Sequence, residues 1–154
     1  MRVELQRVND AFHFEAVGSA GVKVHLDSSP DSGGQNLGAR PMEMVLMGLG
    51  GCSAIDIILI LEKQRQKVQD FRITIDGERA QGVIPAVFTT IHLHYTLTGE
   101  LDEKKVKRAV ELSMEKYCSV SAMLNKTATI TYSFSVEPGQ PTAVEPGQQG
   151  EVNG

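Results

Sequence analysis

Residues 39–66 read ARPMEMVLMGLGGCSAIDIILILEKQRQ, an apolar run that holds three glycines and, directly behind them, Cys52. Residues 44–61 are long enough to suggest a membrane span. They stand at the short end of what crosses a bilayer, however, and they contain Asp56, a carboxylate that is costly in lipid. A helix that is apolar nearly all round is otherwise a buried one. A chain of 154 residues makes one domain and has few places to surround such a helix, so the pattern predicts a core shared between copies, a homodimer. Three glycines in a helix cost about 1 kcal/mol each relative to alanine, a loss that fits a close approach of another backbone.

The totals agree with a globular chain. Hydrophobic residues make up 41% and charged residues 22%; tryptophan is absent, so the core is expected to be aliphatic. A net charge of −4 gives neither nucleic acid nor an anionic membrane anything to be drawn to. The first ten residues, MRVELQRVND, show no signal-peptide pattern. The expected location is therefore cytoplasmic, a reducing setting in which a permanent disulfide is out of place and a transient one is not.

On either side of the apolar run the elements are short. RVELQRV, AFHFEAV and VKVHLD alternate or carry β-branched residues and predict three strands, with Ser, Pro, Asp and Gly marking a loop over residues 28–41. Pro41 suits the first turn of a helix predicted over residues 42–66. FRITIDGERA and FTTIHLHYTLTG predict a hairpin of two longer strands. Asp102 is a candidate N-cap for an amphipathic helix through EKKVKRAVELSMEKYC, SVSAMLN a short helix, and TATITYSFSVE a last strand. The order βββ-α-ββ-α-α-β is an α+β pattern with mostly antiparallel pairing over residues 1–136. VEPGQ recurs at 136–140 and 144–148, and residues 137–154, rich in Pro, Gly and Gln, predict a flexible tail.

The two cysteines, Cys52 and Cys118, are either small buried hydrophobes or a redox pair. Cys52 lies too deep in its helix for the terminal dipole, and Asp56 one turn on works against a thiolate. Activation has to come from another segment, with Arg40 at the helix entrance or Arg7, Arg72 and Arg79 on strands as candidates. Cys118 opens a short helix whose amides can favour its thiolate. His92 and His94, two apart on one strand face, would make a metal pair if His25 or a cysteine joined them, although such a pair is more often simply one face of a half-exposed strand.

Pro41, the Gly/Ala-rich GLGGCSAIDIILIL with its cysteine eleven residues after that proline, and the later YCSVSAML resemble the OsmC/Ohr family, and its YhfA-like branch in particular. The resemblance implies an intertwined homodimer with antiparallel sheets around two long central helices. It also implies thiol-dependent reduction of organic hydroperoxides. By position, Cys52 becomes the peroxidatic thiol and Cys118 the resolving thiol, reset by a dithiol reductant and needing neither metal nor bound cofactor. The family's helix-opening Glu, which holds an activating Arg, corresponds to Met42 here, while Glu43 follows one position later and Arg40 stands where the family has Asn. Arg40 and Glu43 are therefore candidate site residues beside the two cysteines. The alternative is a dimer of the same fold that senses or binds a small ligand with little turnover.

Overall fold

The computed structural model describes residues 1–140, so the tail expected from residue 137 lies outside it beyond Gln140. The three N-terminal strands form as the alternation requires. β1 (Glu4–Arg7), β2 (Phe14–Val17) and β3 (Lys23–Leu26) make an antiparallel meander. Asn9 closes the first turn, its side-chain oxygen accepting from the Ala11 and His13 amides. The apolar side chains Leu5, Phe12 and Val24 of this sheet and its first turn stay exposed.

The loop after β3 is ordered by one carboxylate. Asp27 is buried and accepts from the backbone N–H of Ser28 at 2.7 Å, Gln35 at 3.0 Å and Leu37 at 3.1 Å. The Leu37 amide foremost, with those of Gln35 and Ser28, holds the Asp27 carboxyl below its ordinary 3.8 against the opposing effect of burial. The loop folds back so closely that a Cβ on Gly34 would stand 1.9 Å from the Ser28 carbonyl oxygen.

The apolar run forms α1 (Pro41–Lys63), with Pro41 in its first turn and the Glu43 carboxylate accepting from the Arg40 N–H at 2.8 Å. The helix ends before Gln66, the limit expected from the residue pattern. Arg65 adopts a left-handed φ of 57°, its N–H donates to Glu62 O, and the Gln66 N–H donates to Leu61 O. This is a left-handed helix cap made without glycine, and so without a sequence signal.

β4 (Asp70–Arg79) and β5 (Phe88–Thr98) pair as the predicted antiparallel hairpin. Asp102 caps α2 (Glu103–Leu112) through the Lys104 and Lys105 amides. A π-helical turn, Ser113–Tyr117, follows, then α3 (Ser119–Leu124) and β6 (Thr129–Glu137). Here the pairing departs from expectation: β6 lies parallel to β5, in the order β4-β5-β6. The helices between β5 and β6 act as a crossover, which returns the chain in the direction it left.

The core lies between this second sheet and the helices. Ile91, Leu93, Tyr95 and Leu97 face inward from β5 and meet Leu49, Ile57 and Leu61 of α1 and Val106, Ala109 and Val110 of α2, all buried. Each large aliphatic side chain so covered contributes about 1.5–3 kcal/mol. Among the described residues, the opposite face of α1 is left uncovered. Met47, Ile55 and Leu59 are 55%, 62% and 49% exposed, and a Cβ on Gly48 or Gly51 would meet nothing within 4 Å. α1 thus carries a core face and an open apolar stripe.

Asp27→Asn replaces one acceptor oxygen with a donor and strands two loop amides, so thermal unfolding is expected several degrees below that of the unaltered chain. Because the folded Asp27 carboxyl is lowered, its contribution is present above pH 3.8 and is lost as pH falls through the lower folded value. Melting curves in acid should show that dependence in the unaltered chain and a weaker one in Asp27→Asn.

Candidate functional site

The covered side of α1 carries the chemistry. Cys52 is half-buried there, next to Ser53, which is fully buried, and Asp56 lies one turn further on. Opposite stands the junction of α2 and α3, where the π-helical turn brings the chain to Cys118 in extended conformation (φ −69°, ψ 106°) before α3 begins. Turns of this kind often occur at functional positions. The result is one cluster: Cys52 Sγ, Cys118 Sγ and a carboxylate oxygen of Asp56 all lie within 4.8 Å of one another.

A buried polar network fixes both sides of this cluster. The Tyr95 hydroxyl donates to Ser53 Oγ at 2.9 Å, and Ser53 Oγ donates to Gly50 O at 3.0 Å. Met114 Sδ stands 3.1 Å from the same Tyr95 oxygen. Ser113 Oγ is 3.2 Å from both the Ser53 carbonyl and Asp56 Oδ2, so its single proton ties the π-helical turn to α1. Ser121 Oγ donates to Met114 O at 3.0 Å, locking α3 to the same turn. Burial pushes the Tyr95 phenol up to about 12, so it is a donor throughout the physiological range.

The two thiols differ. Cys118 is 3% exposed, and burial pushes it up to about 11, with its neighbour Cys52 adding to the rise. The Ser121 N–H does donate to its sulfur at 3.4 Å, as the helix-opening position suggests, but desolvation outweighs that bond. The Ser121 and Val120 amides thus favour the Cys118 thiolate as expected, and burial outweighs them, so at neutral pH Cys118 is a thiol. Cys52 is the more accessible sulfur. Beside the cluster, Asp56 also lines an open groove with Leu59, Ile60, Lys63, Leu112 and Tyr117.

The arginines weighed as activators make their bonds elsewhere. Arg40 donates to Asn36 Oδ1 and Gly38 O at the helix entrance, about 18 Å from Cys52 along α1 at 1.5 Å per residue. Glu43, about 14 Å away by the same measure, is bonded to the Arg40 amide. Arg7 bonds Asn9 O, Arg72 pairs with Glu137, and Arg79 bonds Ala86 O. The histidine grouping is not assembled. His92 and His94 lie within hydrogen-bond distance of Thr131, Ser133 and Ser135, whereas His25 sits on the other sheet beside His13 at 2.9 Å. What the sequence reading missed is the network of Ser53, Tyr95, Ser113 and Ser121. Its one available signal was a phenol in the otherwise aliphatic inward row of β5.

The model of the OsmC-like protein family matches residues 33–133 of the chain. Protein YhfA of Escherichia coli strain K12 is 53% identical over 97 residues, which span 62% of this chain and 72% of YhfA. A hypothetical protein from Aquifex aeolicus VF5 superposes with a TM-score of 0.78 at 34% identity, covering 90% of this chain and 97% of its own. An organic hydroperoxide resistance protein OsmC from Legionella pneumophila shares the fold, with a TM-score of 0.66 at 18% identity over 88% of this chain and 96% of its own.

Tyr95→Phe removes the donor to Ser53 and is expected to cost about 1 kcal/mol, a fall in melting temperature of about 2–4 °C for a chain of this size. An unchanged melting temperature would show that the Tyr95–Ser53 bond does not hold α1 to β5.

Proposed function

Since the chain belongs to the OsmC-like protein family, we propose that it reduces organic hydroperoxides in the cytoplasm through a cycle of two cysteines, as part of oxidative-stress defence. The observation that carries this reading is the placement of the Cys52 and Cys118 sulfurs within 4.8 Å. A disulfide needs about 2.05 Å between sulfurs, a gap that modest side-chain and turn movement can close.

The roles follow from access and protonation. Cys52, the more open sulfur, attacks the O–O bond as a thiolate. It takes one oxygen to become a sulfenic acid, and the other leaves as an alkoxide that is protonated to the alcohol. Cys118, still a thiol beside it, condenses with the sulfenic acid; the S–S bond forms, the S–O bond breaks, and water departs. A dithiol reductant then supplies two electrons and two protons and leaves as its own disulfide. Arg40 and Glu43 are assigned to fixing the start of α1. The bare stripe of Met47, Gly48, Gly51, Ile55 and Leu59 supports a homodimer in which a second copy covers α1.

One observation favours a second reading. The charged group in the cluster is Asp56, an anion, and the candidate arginines bond elsewhere. That arrangement suits a dithiol that senses or binds with little turnover.

Reduced protein treated with an alkyl hydroperoxide is expected to lose two hydrogens from its intact mass within seconds, with peptide mapping placing the bridge between Cys52 and Cys118. Cys118→Ser should stop at a Cys52 sulfenic acid after one turnover. Two thiols left reduced by the same treatment would sink the peroxidase cycle and leave the binding reading.

A further inference from the structure

Cys52, Asp56 and Cys118 hold more than a pair of sulfurs: they set two soft donors and one hard donor around a common point, on two different elements. We propose that in the reduced protein these three side chains form a binding site for a thiophilic divalent cation of the Zn²⁺ type.

The geometry meets the demands of such an ion. In a tetrahedral site with Zn–S about 2.3 Å and Zn–O about 2.0 Å, donor atoms stand roughly 3.5–3.8 Å apart. The three donor atoms here lie within 4.8 Å of one another, so shifts of about an ångström per side chain bring them into place. Two sulfurs select Zn²⁺, or Co²⁺ as its stand-in, over Mg²⁺ and Ca²⁺, which take oxygen donors. Three protein ligands leave the fourth position for water or a small thiol, the arrangement of an open zinc site.

The surroundings already resemble those of a metal site. Ser113 Oγ, 3.2 Å from Asp56 Oδ2, orients the carboxylate, and the Ser121 N–H, 3.4 Å from Cys118 Sγ, supports negative charge on that sulfur. A cation bound here also has Asp56 on the wall of the groove that Lys63, Leu112 and Tyr117 line. It also gives the anion of Asp56 a use, since beside a thiolate alone that charge is unfavourable. Binding converts two thiols to thiolates and releases two protons to solvent, with no change in oxidation state. A disulfide between the same sulfurs removes two ligands, so the metal-bound and oxidised states exclude each other. Cation occupancy thereby reports, and restrains, the dithiol state. This proposal requires reduced cysteines alone and stands whether or not the protein turns over peroxides.

The test is a titration of the reduced full-length chain with Co²⁺ and then Zn²⁺, without oxygen or peroxide. One Co²⁺ per chain is expected, with intense thiolate-to-cobalt charge-transfer absorption and the visible bands of tetrahedral cobalt, both bleached by Zn²⁺ and unaffected by Mg²⁺. Asp56→Asn, close in shape, should weaken binding about tenfold or more, and Cys118→Ser should lose roughly half of the charge-transfer intensity. Melting curves of the metal-free variants confirm that they fold. In the unaltered chain, Zn²⁺ should also protect both cysteines from alkylation. Absence of charge transfer at equimolar Co²⁺, or Asp56→Asn binding as tightly as the unaltered chain, would overturn the site.

Discussion

Everything in this molecule depends on the contact between α1 and the inward face of β4-β5-β6. Leu49, Ile57 and Leu61 are fully covered there, and Ser53, between them, is bonded to Tyr95 of β5. Because that contact consumes only one side of an almost wholly apolar helix, the other side is left uncovered among the described residues. Gly48 and Gly51 lie on that side, where an added Cβ would meet nothing within 4 Å among the described residues, so packing among those residues does not account for them. The same imbalance appears in the N-terminal sheet, where Leu5 and Val24 remain exposed. Exposed apolar side chains on two elements at once are the ground for the homodimer proposed above.

The same contact sets the reactive cluster. Fixing Ser53 under β5 fixes Cys52 one residue away and Asp56 one turn away, and Ser113 carries that placement across to the π-helical turn and Cys118. The two sulfurs are therefore held by hydrogen bonds to the core rather than by loops. Holding them this way has a chemical consequence: burial keeps Cys118 as a thiol and leaves Cys52 as the accessible partner, so the pair is asymmetric before any reagent arrives. The anion of Asp56 adds a second asymmetry, which a peroxide cycle has to overcome and a bound cation would neutralise.

Much of the fold was legible in the sequence because it rests on local patterns. Alternation in FTTIHLHYTLTG, the Asp102 cap and the length of the apolar run each fix an element from neighbouring residues, whereas the pairing of the two sulfurs was open on the residues and came only with the family resemblance. The parts that were not legible depend on distant partners. The parallel pairing of β6 follows from which way the helical crossover runs, the end of α1 rests on a left-handed arginine where glycine is the usual signal, and the π-helical turn has no composition of its own. Arg40 and Glu43 illustrate the limit well. The place of Arg40 at the helix entrance and the family resemblance made both of them candidates at the thiol, and here the Glu43 carboxylate accepts from the Arg40 N–H at the start of α1. Asp27 shows the opposite case, a carboxylate in a loop of turn residues that proves to be the loop's organising centre.

The claim that α1 is built for two chains is tested most directly by sedimentation velocity of the reduced, full-length protein at low micromolar concentration. A single species of twice the 16.7 kDa chain mass is expected, unchanged on dilution across that range. A folded, stable species of 16.7 kDa would contradict it and would leave the apolar stripe of α1 in water without a reason to be there.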